Sequence, residues 1–192
     1  MNRWSNRGQE KFMLIFVDCE AFGGCPATGR LTEFGAVAFA GPPVTPHCQI
    51  CERSTRPWFH GLILPSAPSP ENPAVPRPQV QLSDENYRHR AAEVFAEFAR
   101  WLMWVSKDRP VFVSDNVAFD WQWINDGFHR HLGTNPLGYS GRRISDFYAG
   151  LVGNFGSTQK WKRLRTLPHD HNPVHDTAGN CGAFQRLLDG ER

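Results

Sequence analysis

The feature that most restricts this chain is the run Phe12 to Val17, set within Lys11 to Asp18 (KFMLIFVD), which is apolar without interruption and rich in strand formers. A run of that kind reads as a β-strand covered on both faces, so the sheet it belongs to needs packed layers on each side. It is far too short to cross a bilayer, and no membrane association is expected. It ends in Asp18 and Glu20, which places carboxylates at the strand's exit.

Further elements follow from the same kind of pattern. Leu31 to Phe39 alternates as a second strand and Phe59 to Leu64 reads as a third, with Gly41, Pro42 and Pro43 interrupting the chain between them. Three strands in succession predict an antiparallel meander. Six prolines between Pro65 and Pro78 exclude a helix or an interior strand, so residues 65–80 read as a surface loop within one domain spanning 1–192. Ala91 to Val105 carries Val94, Phe95, Phe98, Trp101, Leu102 and Val105 on one helical stripe. Pro110 to Ser114 is a fourth strand, followed by the polar turn Asp115-Asn116 and a helix from Val117 to about His131. Ile144 to Val152 reads as another helix. The last begins after Asn172 and Pro173, a cap and first-turn pair, with Val174, Ala178, Cys181, Phe184 and Leu188 inward. The result is an α/β fold with a mixed sheet of about five strands flanked by helices.

Composition adds limits. In 192 residues, 21 basic and 19 acidic side chains give a net charge of +2, which neither demands nor forbids a polyanionic partner. The five cysteines, at 19, 25, 48, 51 and 181, are odd in number and scattered. Arg3, Arg7 and Lys11 precede an apolar stretch too short for a leader. A reducing, cytoplasmic setting is the expectation.

Two residues apart on a strand, Asp18 and Glu20 share a face at roughly 6 to 7 Å along the chain. A hard divalent ion such as Mg²⁺ takes a few carboxylates plus water and substrate phosphate, and two such ions about 4 Å apart can clamp the nucleophile and leaving oxygen of a phosphoryl transfer. Alone, an Asp-x-Glu at a strand end serves solubility as readily as chemistry. Two further acids change the balance: Asp120 after the strand-to-helix turn, and Asp176, five residues after His171. Both fall on first turns of predicted helices, where the backbone dipole favours an ionised carboxylate. Each singly reads as a helix-capping acid; the set in this order does not.

In three motifs the sequence resembles the DEDDh group of the DnaQ-like 3′–5′ exonucleases, which have a ribonuclease H-like fold. They are Asp18-Cys19-Glu20 with Glu33-Phe34-Gly35-Ala36-Val37, then Asn116-Val117-Ala118-Phe119-Asp120, then His171-Asn172-Pro173-Val174-His175-Asp176. The tyrosine subgroup would need Tyr at position 172, where Asn stands. The resemblance implies that Asp18, Glu20, Asp120 and Asp176 hold two Mg²⁺ ions, with Mn²⁺ able to substitute, and that His171 is the general base. It implies release of nucleoside 5′-monophosphates from the 3′ end of single-stranded nucleic acid; RNA is slightly favoured as the substrate, with DNA-directed 3′-end processing or proofreading as the alternative. An imidazole, with an unperturbed pKa near 6.5, suits that task. His169 and His175 are competing bases, and a homodimer is left open. The sequence departs from the family in Ala21 and Phe22, where a small hydroxyl residue usually follows the Glu.

Phe22 is either a stacking platform for a terminal base or a core residue. Trp121 and Trp123 face different sides of their helix, one toward the core. Lys160, Lys162, Arg163 and Arg165, with Trp161, form the densest basic stretch, and with Asn116 they are the candidate substrate contacts; a solvated face is the other reading. Cys48 and Cys51, near His47 and His60, make only half of a zinc site and read as reduced thiols. A non-catalytic nucleic-acid-binding module on the same fold is the alternative of a different class.

Overall fold

The computed structural model describes residues 13–39, 56–64 and 82–192, and the backbone of 66–68 and 76–78. Strand β1 (Met13–Phe22) pairs antiparallel with β2 (Arg30–Ala38), and β2 pairs antiparallel with β3 (Trp58–Leu62), which is the expected meander. Among the described residues, β4 (Ser66–Pro68) and β5 (Pro76–Pro78) pair with each other and not with the main sheet, so part of the segment expected as a loop is a short antiparallel ribbon. Helix α1 (Asp84–Val105) precedes β6 (Pro110–Ser114), which runs parallel to β1 on its free side. Helix α2 (Val117–Leu132), β7 (Gly141–Arg143), α3 (Ile144–Val152), a 3₁₀ turn at Lys160–Leu164 and α4 (Pro173–Leu188) complete the order. The sheet is five-stranded and mixed, with order β3-β2-β1-β6-β7. Because β1 and β6 are parallel, both end on the same edge, and the motif acids of both arrive there.

Alternation along β1 divides the core. Ile15, Val17, Cys19 and Ala21 pack with Phe34, Phe95, Phe98 and Phe128 against α1 and α2. Phe16, Val37 and Val113 pack on the opposite face with Ile144, Trp161 and Phe184, from α3, the 3₁₀ turn and α4. Trp123 is buried and Trp121 half-buried, as their spacing suggested.

Some boundaries differ from expectation. β1 does not stop at Asp18 but continues to Phe22, because β2 pairs with it as far as Phe22 and Arg30, across an irregularity between Glu20 and Ala21. α1 begins at Asp84 rather than Ala91. Ser83 accepts the Asn86 N–H as N-cap, and the first two turns are mostly exposed, so they lack the apolar stripe that marks the rest. β7 is three residues, Gly141-Arg142-Arg143, with no apolar alternation to read. The proposed starts of β1 at Lys11 and Phe12, the breaks at 41–43, most of the 65–80 segment, His47, Cys48 and Cys51 lie outside the described residues.

Candidate active site

The site forms where β1 leaves the core. Asp18 and Glu20 alternate onto the α4 side of the sheet, and in the β1–β2 register they lie opposite Gly35 and Glu33. Gly35 lets α4 come close: a Cβ there would lie 2.2 Å from the Pro173 carbonyl oxygen, so no other residue fits. The Thr177 hydroxyl donates to the Pro173 carbonyl at 2.6 Å and reaches the Gly35 carbonyl at 3.3 Å, which fixes the helix on the strand. Asn172 caps α4 by accepting the N–H groups of Val174 and His175, with Pro173 in the first turn. Asp176 is thereby set beside β1, and ligand oxygens of Asp18, Glu20 and Asp176 lie within 4.8 Å of one another.

Asp120 stands at the edge of this trio. Its carboxylate accepts the Cys19 N–H at 3.0 Å and the Ser114 hydroxyl at 2.7 Å, much as both oxygens of Asp176 have partners in Arg165 and His169. The resemblance implies four acids on the ions; ligand oxygens of three converge here, and the fourth, Asp120, is close enough for its charge to act on Asp18 and Glu20. The electrostatics agree with that closeness. Burial, then the charges of Asp120, Asp176 and Glu20, hold the Asp18 carboxyl well above its ordinary value, with Arg165 acting the other way. Burial also raises Glu20 to about 8, helped by Asp176, Glu33 and Asp120, and raises Asp120 to about 7. Carboxylates crowded and buried in this manner require a cation to be ionised together at neutral pH. An all-oxygen, hard donor set fits a divalent ion such as Mg²⁺ or Mn²⁺.

Three histidines come near. His171 Nδ1 is 3.6 Å from Glu20 Oε1, and its backbone is left-handed, with φ 59°, stabilised by the Asn172 N–H on the Asp170 carboxylate at 3.1 Å. His169 Nδ1 is 2.5 Å from Asp176 Oδ2, its ring 4.5 Å from that of His171. His175 points away and pairs with Asp170 at 2.9 Å, in keeping with its offset around the helix.

The expected substrate contacts separate into groups. Phe22 is 48% exposed at the end of β1, so it is not a core residue. Asn116 is exposed at the N-cap of α2 with no side-chain capping bond. Lys160, Lys162 and Arg163 are exposed on the 3₁₀ turn, which Trp161 anchors by burial and by donating its indole N–H to Ser145 and Thr158. Lys162 is also tied to Asp115 at 2.6 Å. Arg165 contradicts the expectation of a solvent-facing cation. Its side chain is only 9% exposed and its guanidinium bonds Asp176 at 2.7 Å. That contact joins residues eleven apart across an irregular loop, which no periodicity marks. The pairing of Glu33 with His60 at 2.8 Å, beside Glu20 on the next strand, was likewise missed, although the β2 motif and strand alternation place Glu33 on the acid face.

No family model matches the chain. It is similar, at 26% identity over 192 residues covering 94% of this chain and 93% of the relative, to the 3′–5′ DNA exonuclease Cap18 of Escherichia coli. Among solved structures, the nuclease domain of 3′hExo, a DEDDh family member bound to rAMP, aligns with a TM-score of 0.56 at 14% identity, covering 93% of this chain and 92% of that one. The zinc-bound complex of E. coli ExoI with ssDNA gives a TM-score of 0.52 at 17% identity, over 93% of this chain and 40% of that one. These neighbours speak to the fold, and the acid and histidine motifs, together with the exonuclease relative, speak to the group. The chain therefore shares the fold of the DEDDh nuclease domain of 3′hExo and is similar along nearly its whole length to a 3′–5′ DNA exonuclease, as its acid and histidine motifs lead one to expect.

Proposed function

We propose that the protein removes nucleotides one at a time from the 3′ end of single-stranded DNA, releasing nucleoside 5′-monophosphates. The observation that carries this reading is the meeting of Asp18, Glu20 and Asp176 within 4.8 Å of one another, with His171 at 3.6 Å from Glu20. DNA is placed ahead of the RNA expected from the sequence because the relative that aligns along nearly the whole chain is a DNA exonuclease.

Asp18, Glu20 and Asp176 would hold the divalent ions, with Asp120 supporting them from the side. Two such ions, when bound, stabilise the charge on the attacking and leaving oxygens. The protein's own groups do the rest. With Nδ1 of His171 turned toward Glu20, Nε2 is the atom that takes the proton from the attacking water. Attack at phosphorus breaks the bond to the 3′ oxygen of the preceding nucleotide, which leaves as an oxyanion and takes a proton from solvent to become the new 3′-hydroxyl. Phe22 offers a face for the terminal base, and Asn116 at the α2 N-cap with Lys160, Lys162 and Arg163 on the 3₁₀ turn are exposed groups that can carry the phosphate backbone.

Matched single- and double-stranded oligonucleotides of DNA and RNA, labelled at the 5′ or the 3′ end, test this with Mg²⁺, Mn²⁺ or EDTA. The expected result is a 5′-labelled ladder shortening from the 3′ end and immediate release of a 3′-terminal mononucleotide. Single-stranded DNA should be fastest and EDTA should stop the reaction. Release of the 5′ nucleotide first, or turnover in EDTA, would refute the reading. In the same assay His171→Ala is expected to lose far more activity than His169→Ala; the reverse would make His169 the base.

A further inference from the structure

Arg165 makes four hydrogen bonds, two to α4 and two to the loop that carries the histidines. Nη2 donates to Asp176 Oδ1 at 2.7 Å and to the Pro168 carbonyl at 3.2 Å, Nη1 to Asn180 Oδ1 at 3.0 Å, and Nε to the Leu167 carbonyl at 3.4 Å. The guanidinium lies flat on α4 over Gly179, where a Cβ would come within 3.0 Å of Nε and Nη2. Beyond these two carbonyls the chain continues at once to His169, whose ring meets the other oxygen of Asp176, and to His171, which faces Glu20. One planar, permanently charged fork thus joins an acid of the cluster to the segment bearing the general base.

We propose that Arg165 is a positioning residue for the exonuclease reaction: it holds the Asp176 carboxylate and the 166–171 loop as one unit and does not contact nucleic acid. The proposal rests on the exonuclease reading above for its effect on rate, while the clamp itself is independent of it. A lysine has one compact ammonium and cannot reach all four acceptors, so charge alone does not replace the fork.

Arg165→Gln and Arg165→Lys test it through steady-state kinetics on single-stranded DNA with Mn²⁺, the salt dependence of kcat/KM, and hydrogen exchange of the full chain. In both variants kcat should fall roughly 10- to 100-fold, as expected for a displaced reacting group. KM should stay within about threefold, and the salt slope should be unchanged. Amides of 166–172 should exchange faster while those of α1 keep their rates. A raised KM with a shallower salt slope and an unchanged kcat would overturn the proposal in favour of a phosphate contact. Unaltered exchange at 166–172 would also overturn it. An unaltered protein with no nuclease activity would end the exonuclease reading instead, and the exchange measurement would still decide the clamp.

Discussion

The two faces of β1 are made from alternate residues of one strand and are built to different ends. Toward α1 and α2, Ile15, Val17, Cys19 and Ala21 meet an aromatic stack in which Phe98 lies 4.9 Å from Phe34 and 5.5 Å from Phe128, ring centre to ring centre. Toward α4, the pattern begins the same way with Phe16, then changes to Asp18 and Glu20 within four residues. The first face gains from every atom it removes from water, with each aromatic pair adding about 0.5–1.5 kcal/mol beyond burial. The second brings like charges together in a buried place, which opposes folding until a cation is bound. Stability that resides on one face allows chemistry on the other.

Substitutions should therefore separate the two. The largest effect on folding is expected from Phe98→Ala, which empties the centre of the aromatic stack and should cost about 3–5 kcal/mol in urea denaturation. The folded fraction should keep its turnover; a comparable loss of kcat per folded molecule would erase the distinction between the faces. Asp18→Asn should do the opposite. Turnover is expected to drop by at least roughly 100-fold, as when a designed electrostatic contact is removed from a transition state. The metal-free protein should meanwhile melt at a higher temperature at pH 8, because repulsion is relieved.

A smaller effect follows from pH. Glu20 and Asp120, raised to about 8 and about 7, bind protons in the folded protein that the unfolded chain has already released above about pH 4. Their contribution to stability is full below the unfolded value and is lost as pH rises through 7 to 8. In EDTA the melting temperature should thus fall between pH 5.5 and pH 8.5, with Mn²⁺ restoring it at the upper end. A flat profile would mean that the acids are not crowded in solution. The smallest change is expected from Phe22→Ala, where loss of a stacking face worth about 1–3 kcal/mol should raise KM for oligonucleotides and leave kcat nearly intact. An unchanged KM would remove Phe22 from the substrate path.

Much of this organisation is written in local pattern. Apolar runs placed β1, β2 and β6, and the helical stripe located the buried part of α1. Asp120 and Asp176 stood on first turns of helices, where the structure has them, while Asp18 and Glu20 lie within β1, which runs on to Phe22. What local pattern omits are elements held by distant partners. β7 is specified by pairing with β6, while the opening turns of α1 rest on a local cap, Ser83, and lack an apolar stripe to mark them. Arg165 looks in sequence like one more cation in KWKRLR, and only the fold turns it inward onto Asp176. The hydrogen bonds that hold Asp120 are equally invisible, since they come from the Cys19 N–H and the Ser114 hydroxyl on two neighbouring strands.

The central claim is that the α4-facing end of β1 is the cation-dependent centre of a 3′–5′ exonuclease. Anomalous diffraction from crystals soaked in Mn²⁺ at pH 8 tests it most directly. The account predicts a peak among the carboxylates of Asp18, Glu20 and Asp176, lost in Asp18→Asn. A clear peak elsewhere with none at this site, or an undiminished peak in the variant, would contradict it.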